Sequence, residues 1–351
     1  MLLTVPAADA LNRLDTFSAV IDARSESEFA LDRLPGALNW PSLNDAERAS
    51  IGTEYKQASP FAARKRGAIL VARNVAAHIE REVLDKPRDW SPLIYCWRGG
   101  HRSGALALVL GQIGFKVHLL EGGYREYRRA VLAALETLPA TFEYRVVCGS
   151  TGSGKSRLLQ ALRSQGAQVL DLEALAEHRG SVLGLAPGAV QPSQKQFESR
   201  IWEVLRRFDP QRPVFVESES RKVGDLRVPP ALIERMRTAR CLRLALALEQ
   251  RVALLIADYD FFVRDTETLC ERLDALRVLR GSATVKAWQE AARAGQIAEL
   301  VRALLVEHYD PGYEQSMLRN FAGLAAPTLE LDWDGSAASL DRAAQSAIAA
   351  G

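Results

Sequence analysis

Cysteine is scarce in this chain. Four residues, Cys96, Cys148, Cys241 and Cys270, are scattered over 351 positions, and no two form a CxxC pair. That argues against a disulfide framework and against a cysteine-built zinc site. Of the five histidines, His78, His118, His178 and His308 lack ligand spacing, so neither a metal centre nor a tightly bound cofactor is expected. Long apolar runs are missing too. The longest, Ala105–Leu110 and Leu244–Leu248, fall far short of the roughly 20 residues that cross a bilayer. The opening MLLTVPAADALNRLD has no basic n-region or cleavage site of a secretory signal, and with unpaired thiols a cytoplasmic location is the expectation. Charge of one sign is not in excess, with 45 basic against 43 acidic residues. Bulk electrostatics therefore does not mark a nucleic-acid binder, and any basic surface must be local. What is present is 48% hydrophobic and 25% charged residues, enough apolar material for a packed core rather than a disordered chain. At about 100–200 residues per domain, the length predicts two domains.

Short apolar strands alternate with helical stretches. Ala19–Asp22, Leu93–Cys96 and Lys116–Leu120 read as strands in the first third, with a helix over Ser103–Ile113 and another over Tyr124–Leu138. A longer insertion from Pro41 to Ser91 carries a helical piece around Gly67–Val83. Pro139 marks a linker, so the expected domains are 1–138 and 139–351. In the second, Tyr144–Cys148, Val169–Leu172, Pro213–Val216 and Leu242–Leu248 read as strands and Ser156–Ser164 as a helix. The remainder is mostly helical, down to an Ala-rich tail. Strands separated by helices predict an α/β fold with parallel sheets in both domains and a helical C-terminal part.

Two loops stand out. The first reads CWRGGHRS over residues 96–103. An apolar strand delivers Cys96 to the carboxyl end of a sheet, where open α/β folds place ligands. Gly99 and Gly100 permit unusual backbone angles, and the following helix start turns its positive end toward the loop. Trp97, Arg98, Gly99, Gly100, His101, Arg102 and Ser103 thus form a candidate anion loop around a candidate nucleophile, Cys96, whose thiolate the positive surroundings favour. The bland reading is a buried cysteine at a strand end. With VIDARSESEFALDRLPGALNWP at 20–41 and LLEGGYREY at 119–127, the front third resembles a rhodanese (sulfurtransferase) domain. In that family the loop cysteine carries a transferable sulfur. Arg102 sits six positions after Cys96, one more than in many sulfurtransferase loops. The Cys-x5-Arg spacing also resembles phosphatases built on the same fold, which suits a larger, tetrahedral anion.

The second loop, GSTGSGKS at 149–156, satisfies G-x-x-x-x-G-K-[ST] between a strand and a helix, the context a phosphate-binding loop requires. The candidate diphosphate-binding residues are Gly149, Ser150, Thr151, Gly152, Ser153, Gly154, Lys155 and Ser156, and backbone N–H groups from Thr151 to Ser156 would surround phosphate oxygens. Lys155 would bridge them, and Ser156 is placed to ligate Mg²⁺. Asp171, Glu217 and Glu219, with Glu173 beside them, follow strands and are candidate acids of this site, or solvated strand ends. Arg200, Arg207, Arg221, Lys222, Arg227 and Arg237 form a basic region able to hold an RNA backbone, or else a solvated helical face.

With both loops in this order, and with NDAERASIGTEYKQ at 44–57, DLEALAEHRGSVLG at 171–184, QPSQKQFE at 191–198 and FVESESRKVG at 215–224, the chain resembles the bacterial tRNA 2-selenouridine synthase family across essentially its full length. The resemblance implies a transferase that replaces the sulfur of wobble 2-thiouridine in tRNA with selenium. Selenophosphate would be the selenium donor, and geranyl diphosphate would supply an S-geranyl intermediate. Cys96 would then meet selenophosphate, and Gly149–Ser156 the diphosphate, with the helical region near Ala253–Phe262 a candidate wall for the geranyl chain. Three alternatives remain open: a rhodanese-type sulfurtransferase or ATP-dependent tRNA thiolation enzyme, a small-molecule kinase with a docking rhodanese domain, and a phosphatase using the Cys-x5-Arg loop.

Overall fold

The computed structural model describes residues 1–350 except Val182, Ala325, Ala326 and Thr328. Contacts divide the chain into two units: Met1–Ala134 with Glu198–Trp202, and Leu135–Phe197 with Glu203–Gly351. Among the described residues no helix is long and apolar enough to cross a membrane.

In the first unit, strands β1 (Leu2–Val5), β2 (Ala19–Asp22), β3 (Ala37–Asn39), β4 (Pro92–Tyr95) and β5 (Val117–Leu120) form one sheet in the order β1-β5-β4-β2-β3, with every pair parallel. Its helices are α1 (Ala7–Asn12), α2 (Glu26–Leu31), α3 (Asp45–Gln57), α4 (Pro60–Glu82), α5 (His101–Ile113) and α6 (Gly123–Thr137). Central β4 is buried along its whole length, as a parallel strand covered on both faces must be. Ile21, Ile94, Leu106, Leu110 and Val117 pack there with Trp40, Trp90 and Phe115. The insertion holds two helices where a single piece was expected. Asn44 and Glu47 form a capping box that starts α3, and Ser59 caps α4 ahead of Pro60, the start signals those residue types carry.

The second unit repeats the plan. Strand β6 (Tyr144–Cys148) leads to α7 (Lys155–Ser164), β7 (Gln168–Leu170), α8 (Leu172–Ala176), α9 (Gln194–Leu205) and β8 (Val214–Glu217). A hairpin of β9 (Lys222–Val223) and β10 (Leu226–Arg227), then α10 (Pro230–Arg237) and β11 (Arg240–Ala245), follow. The helical part comprises α11 (Leu248–Asp258), α12 (Asp260–Arg264), α13 (Thr266–Asp274), α14 (Arg277–Arg280), α15 (Ser282–Arg293), α16 (Ile297–Ala303), a π-helical stretch Leu304–Tyr309 and α17 (Asp310–Asn320). β12 (Leu329–Asp332) and α18 (Ala337–Ala349) close the chain. The parallel sheet runs β12-β11-β6-β8-β7. The α/β class and the parallel sheets are as expected. Two details differ. β11 stops at Ala245 because Ala247 already opens α11. β12 was not expected: in LELD only Leu331 is fully buried, so half of this edge strand reads as polar.

Candidate functional sites: two oxyanion loops

Cys96 follows β4 directly. Its residue is only 2% exposed, yet polar groups surround the sulfur. Ser103 Oγ donates to Cys96 Sγ at 3.2 Å, and the thiol faces the Arg98 carbonyl at 3.7 Å. Trp97, Arg98 and Gly99 above it are exposed. Gly99 and Gly100 take φ of 68° and 73°, the left-handed region that favours glycine. α5 starts at His101, two residues earlier than expected, so that Ser103, which touches the sulfur, lies in its first turn. Arg102 behaves differently from the expectation of an open anion clamp. Its Nη1 and Nη2 donate to the two oxygens of Glu28, at 2.7 and 3.3 Å. Burial raises the Glu28 carboxyl, but the hydrogen bond and charge of Arg102 bring it below the ordinary value. The pair fixes the guanidinium at the loop, and three of its five N–H donors lie outside that pair.

The underside of the loop rests on α6. Tyr124 N–H donates to the Cys96 carbonyl at 2.8 Å and Arg125 N–H to that of Trp97 at 3.2 Å, while the Trp97 and Tyr124 rings stack at 5.5 Å. Asp22 and Arg24, a buried ion pair, brace this side, with the Arg24 guanidinium 4.0 Å from the Tyr124 ring centre. A Cβ on Gly123 would meet the Cys96 carbonyl oxygen at 2.3 Å, at a φ of 62°. Gly123→Ala is therefore expected to push the cysteine loop off α6. The left-handed backbone alone costs about 1–2 kcal/mol, so thermal melting should show a lowered midpoint together with loss of the reaction at Cys96.

The second loop turns from β6 into α7, with Gly152 and Gly154 at φ of 77° and 90°. Lys155 Nζ donates to the Gly149 carbonyl at 2.7 Å. Residues far along the chain hold the loop open, and none of them was foreseen from the sequence. Gly149 N–H donates to Tyr313 Oη at 2.6 Å, Trp333 Nε1 to the Ser153 carbonyl at 2.8 Å and Arg251 Nε to the Thr151 carbonyl at 2.9 Å. Arg251 is itself locked to Asp310 by two hydrogen bonds, at 3.0 and 2.6 Å.

The candidate acids divide by role. Asp171 caps α8, accepting from Ala174 N–H. Glu173, the candidate paired with Asp171 in the sequence, accepts from Ser156 Oγ at 3.0 Å. Glu217 is 2% exposed; its Oε1 accepts from Glu173 N–H at 2.7 Å and its Oε2 has no partner among the described residues. Burial first, then neighbouring carboxylates, raises Glu217 well above the ordinary range. Burial and the Glu173 charge push Glu219 up to about 8. Among the described residues no three His, Cys, Asp or Glu side chains are arranged to hold a metal ion.

The Glu219 shift has a measurable consequence. The folded protein holds the proton that the unfolded chain, with an ordinary value of 4.5, releases. This contribution to stability is complete below the unfolded value and is lost as pH rises toward about 8. Glu219→Gln, a permanently neutral mimic, should melt close to the parent at about pH 5 and above it at about pH 9. A melting difference that stays flat with pH would show that Glu219 ionises normally.

Beside the second loop lies a small apolar pocket with ≈ 70 Å³ of internal space. Thr151 of the loop belongs to its wall, with Leu255, Ile256, Tyr259 and Phe262 from the region expected to meet a hydrocarbon chain. The opposite wall, Ile297, Leu300, Val301, Leu304, Leu305 and Tyr309, was not anticipated. It runs into the π-helical stretch, a local geometry common at functional sites. The basic residues differ in their surroundings. Arg221, Lys222 and Arg227 are exposed together on the β9–β10 hairpin, where Lys222 and Arg227 are register partners. Arg207 pairs with Glu203 at 2.6 Å, Arg237 donates to Asn320 at 2.7 Å, and Arg200 lies in the α9 segment grouped with the first unit.

Comparison with known proteins matches residues 6–130 to the rhodanese-like domain and residues 142–276 to the tRNA 2-selenouridine synthase AAA domain. A tRNA 2-selenouridine synthase from Marinobacter nauticus is 31% identical over 343 residues, covering 88% of this chain and 91% of the relative. The chain belongs to the tRNA 2-selenouridine synthase family. Its relative from Alcanivorax borkumensis is 31% identical, with 86% of this chain and 90% of that protein covered. The match to the Nitrosomonas europaea synthase is stronger in identity, 36%, but spans 68% of this chain and 63% of that protein. Both candidate loops fall inside the matched family segments, Cys96 in the rhodanese-like part and Gly149–Ser156 in the AAA part.

Proposed function

We propose that this chain exchanges the sulfur of wobble 2-thiouridine in tRNA for selenium in two steps, one at each loop. At the second loop, the thiocarbonyl sulfur attacks the first carbon of geranyl diphosphate. The carbon–oxygen bond breaks, pyrophosphate leaves and the base gives up its N3 proton. The N–H groups of Ser150, Thr151, Gly152 and Gly154, with Lys155, would face the charge that develops on the leaving pyrophosphate; Gly149 N–H is taken by Tyr313 Oη and Ser153 N–H by the Ser150 carbonyl. At the first loop, selenium from selenophosphate becomes bonded to C2 and the carbon–sulfur bond breaks. Geranylthiol departs with a proton, and water delivers its hydroxyl to phosphorus and its proton to N3. S-alkylation makes that sulfur a good leaving group. Electron counting bears on Cys96. A selenium-loaded cysteine would be two electrons more oxidised than selenophosphate and would need an oxidant. Attack of the thiolate on phosphorus needs none: an S–P bond forms as the P–Se bond breaks, selenide is released beside the base, and the water then hydrolyses the S–P bond to phosphate and returns the thiol. The exposed Arg221, Lys222 and Arg227 suit the tRNA backbone, and a tRNA substrate with unpaired thiols suits the cytoplasm.

One observation carries this reading: Thr151 is shared between a phosphate-binding loop and an apolar pocket. A donor that fits both is a diphosphate joined to a hydrocarbon, whereas a nucleotide would set a polar ribose against leucine and phenylalanine side chains. The test is mass spectrometry of nucleosides after incubating 2-thiouridine RNA with each donor separately and with both. S-geranyl-2-thiouridine from geranyl diphosphate alone, and full conversion to selenouridine with both donors, is expected. Selenouridine formed equally fast without the geranyl donor would remove the first step. Sulfur transfer driven by ATP would assign a thiolation enzyme instead.

A further inference from the structure

The first unit has its own apolar groove, and it begins at the cysteine loop. His101 and Arg102, members of the loop, line one end of it. From there it runs between α5, which presents Ala105, Leu108 and Val109, and α4, which presents Ala68, Ala72 and Ala76. The alanines recur every fourth residue, so they form one stripe on α4. They are exposed, as are Leu108 at 55% and, at the far end, Ile113 at 53% and Leu84 at 80%. Small residues on one helix facing large exposed ones on another leave an open trough of ≈ 1080 Å³. Exposed contiguous apolar surface of this kind marks a binding site. Arg64 stands on its rim.

We propose that this groove holds the hydrocarbon chain of the S-geranylated base while selenium is delivered at Cys96, and then the geranylthiol that leaves. The inference rests on the two-step reading above. The hydrocarbon added in the first step is still attached when the second begins, so the second site must also desolvate it. The groove is continuous with the anion loop at His101 and Arg102, which ties its occupant to the group reacting there. A chain attached to the base would extend from the loop over the alanine stripe, with selenophosphate at its polar end. The bonds broken and formed are those of the second step above, and the groove contributes only apolar contact.

The test uses the full-length protein, selenophosphate and two RNAs carrying either S-geranyl- or S-methyl-2-thiouridine. Ala72→Asp places a charge on the stripe at an exposed helical position, and Ala72→Trp fills the trough without one. Both should raise the KM for the S-geranyl RNA by about ten-fold or more and leave the S-methyl RNA and the geranylation step unchanged. If the parent converts the S-geranyl RNA and both variants keep its geranyl-to-methyl ratio, this inference fails alone. If the parent converts neither RNA, the two-step reading fails and takes the groove assignment with it. A dimer of the parent that both variants dissolve would assign the groove to a second copy of the chain and overturn the proposal.

Discussion

Cys96→Ser is expected to lower selenium incorporation by at least about 10³-fold, the scale on which removing a reacting group acts. The fold should persist. A serine hydroxyl is smaller than the thiol and keeps both polar neighbours of the sulfur, the Ser103 hydroxyl and the Arg98 carbonyl. What serine lacks is the nucleophilicity of sulfur, a softer and stronger attacking atom than an alcohol oxygen. The geranylation step uses the other loop and should proceed at the parent rate, so S-geranyl-2-thiouridine should accumulate when both donors are supplied. Nucleoside mass spectrometry reads both outcomes in one sample. Selenouridine at the parent level would reduce Cys96 to a structural residue at the end of β4, leaving the loop as an anion-binding site only. Loss of both products with an unchanged melting profile would contradict the division of labour between the two loops.

The parts of the two sites that local sequence encodes were legible in advance. LIYC and YRVVC are short apolar runs, each followed at once by glycines, and a buried parallel strand that ends in a glycine-rich turn has few other readings. The glycine pair after LLE was visible as well, though its purpose, the close approach of Gly123 to the Cys96 carbonyl, needs coordinates. Contacts made across long stretches of chain were not legible. Glu28 reaches Arg102 across 74 positions and Tyr313 reaches Gly149 across 164, and neither leaves a periodic trace. The Ile297–Tyr309 wall of the second-unit pocket was hidden for another reason. One apolar stripe on a helix looks the same whether it packs against a core or lines a cavity. The short strands β1, β3 and β12 escaped because they lie at sheet edges and are only partly buried, so they lack the continuous apolar run that marked equally short central strands.

Lys155→Ala should reduce geranylation by about 10²–10³-fold, the usual effect of deleting one preorganised donor to a developing negative charge. The loss should be partial because the cradle has other members. Backbone N–H groups of the loop and the start of α7 remain, and Tyr313, Arg251 and Trp333 still hold the loop from outside. Stability should fall by only about 1 kcal/mol, for the hydrogen bond to the Gly149 carbonyl. A second signature follows from the carboxyls nearby. The Lys155 charge opposes the rise of both Glu173 and Glu219, so without it the pH at which Glu219 ionises should move further up. Lys155→Arg should restore that pH dependence but little of the rate, because a planar guanidinium does not fit where a compact ammonium bridges two phosphates. The decisive comparison supplies RNA that already carries S-geranyl-2-thiouridine. Selenium incorporation by Lys155→Ala should then match the parent, since the diphosphate loop has no part in the second step. Geranylated RNA accumulating at the parent rate would instead mean that the loop binds some other anion, and the apolar pocket beside Thr151 some other chain.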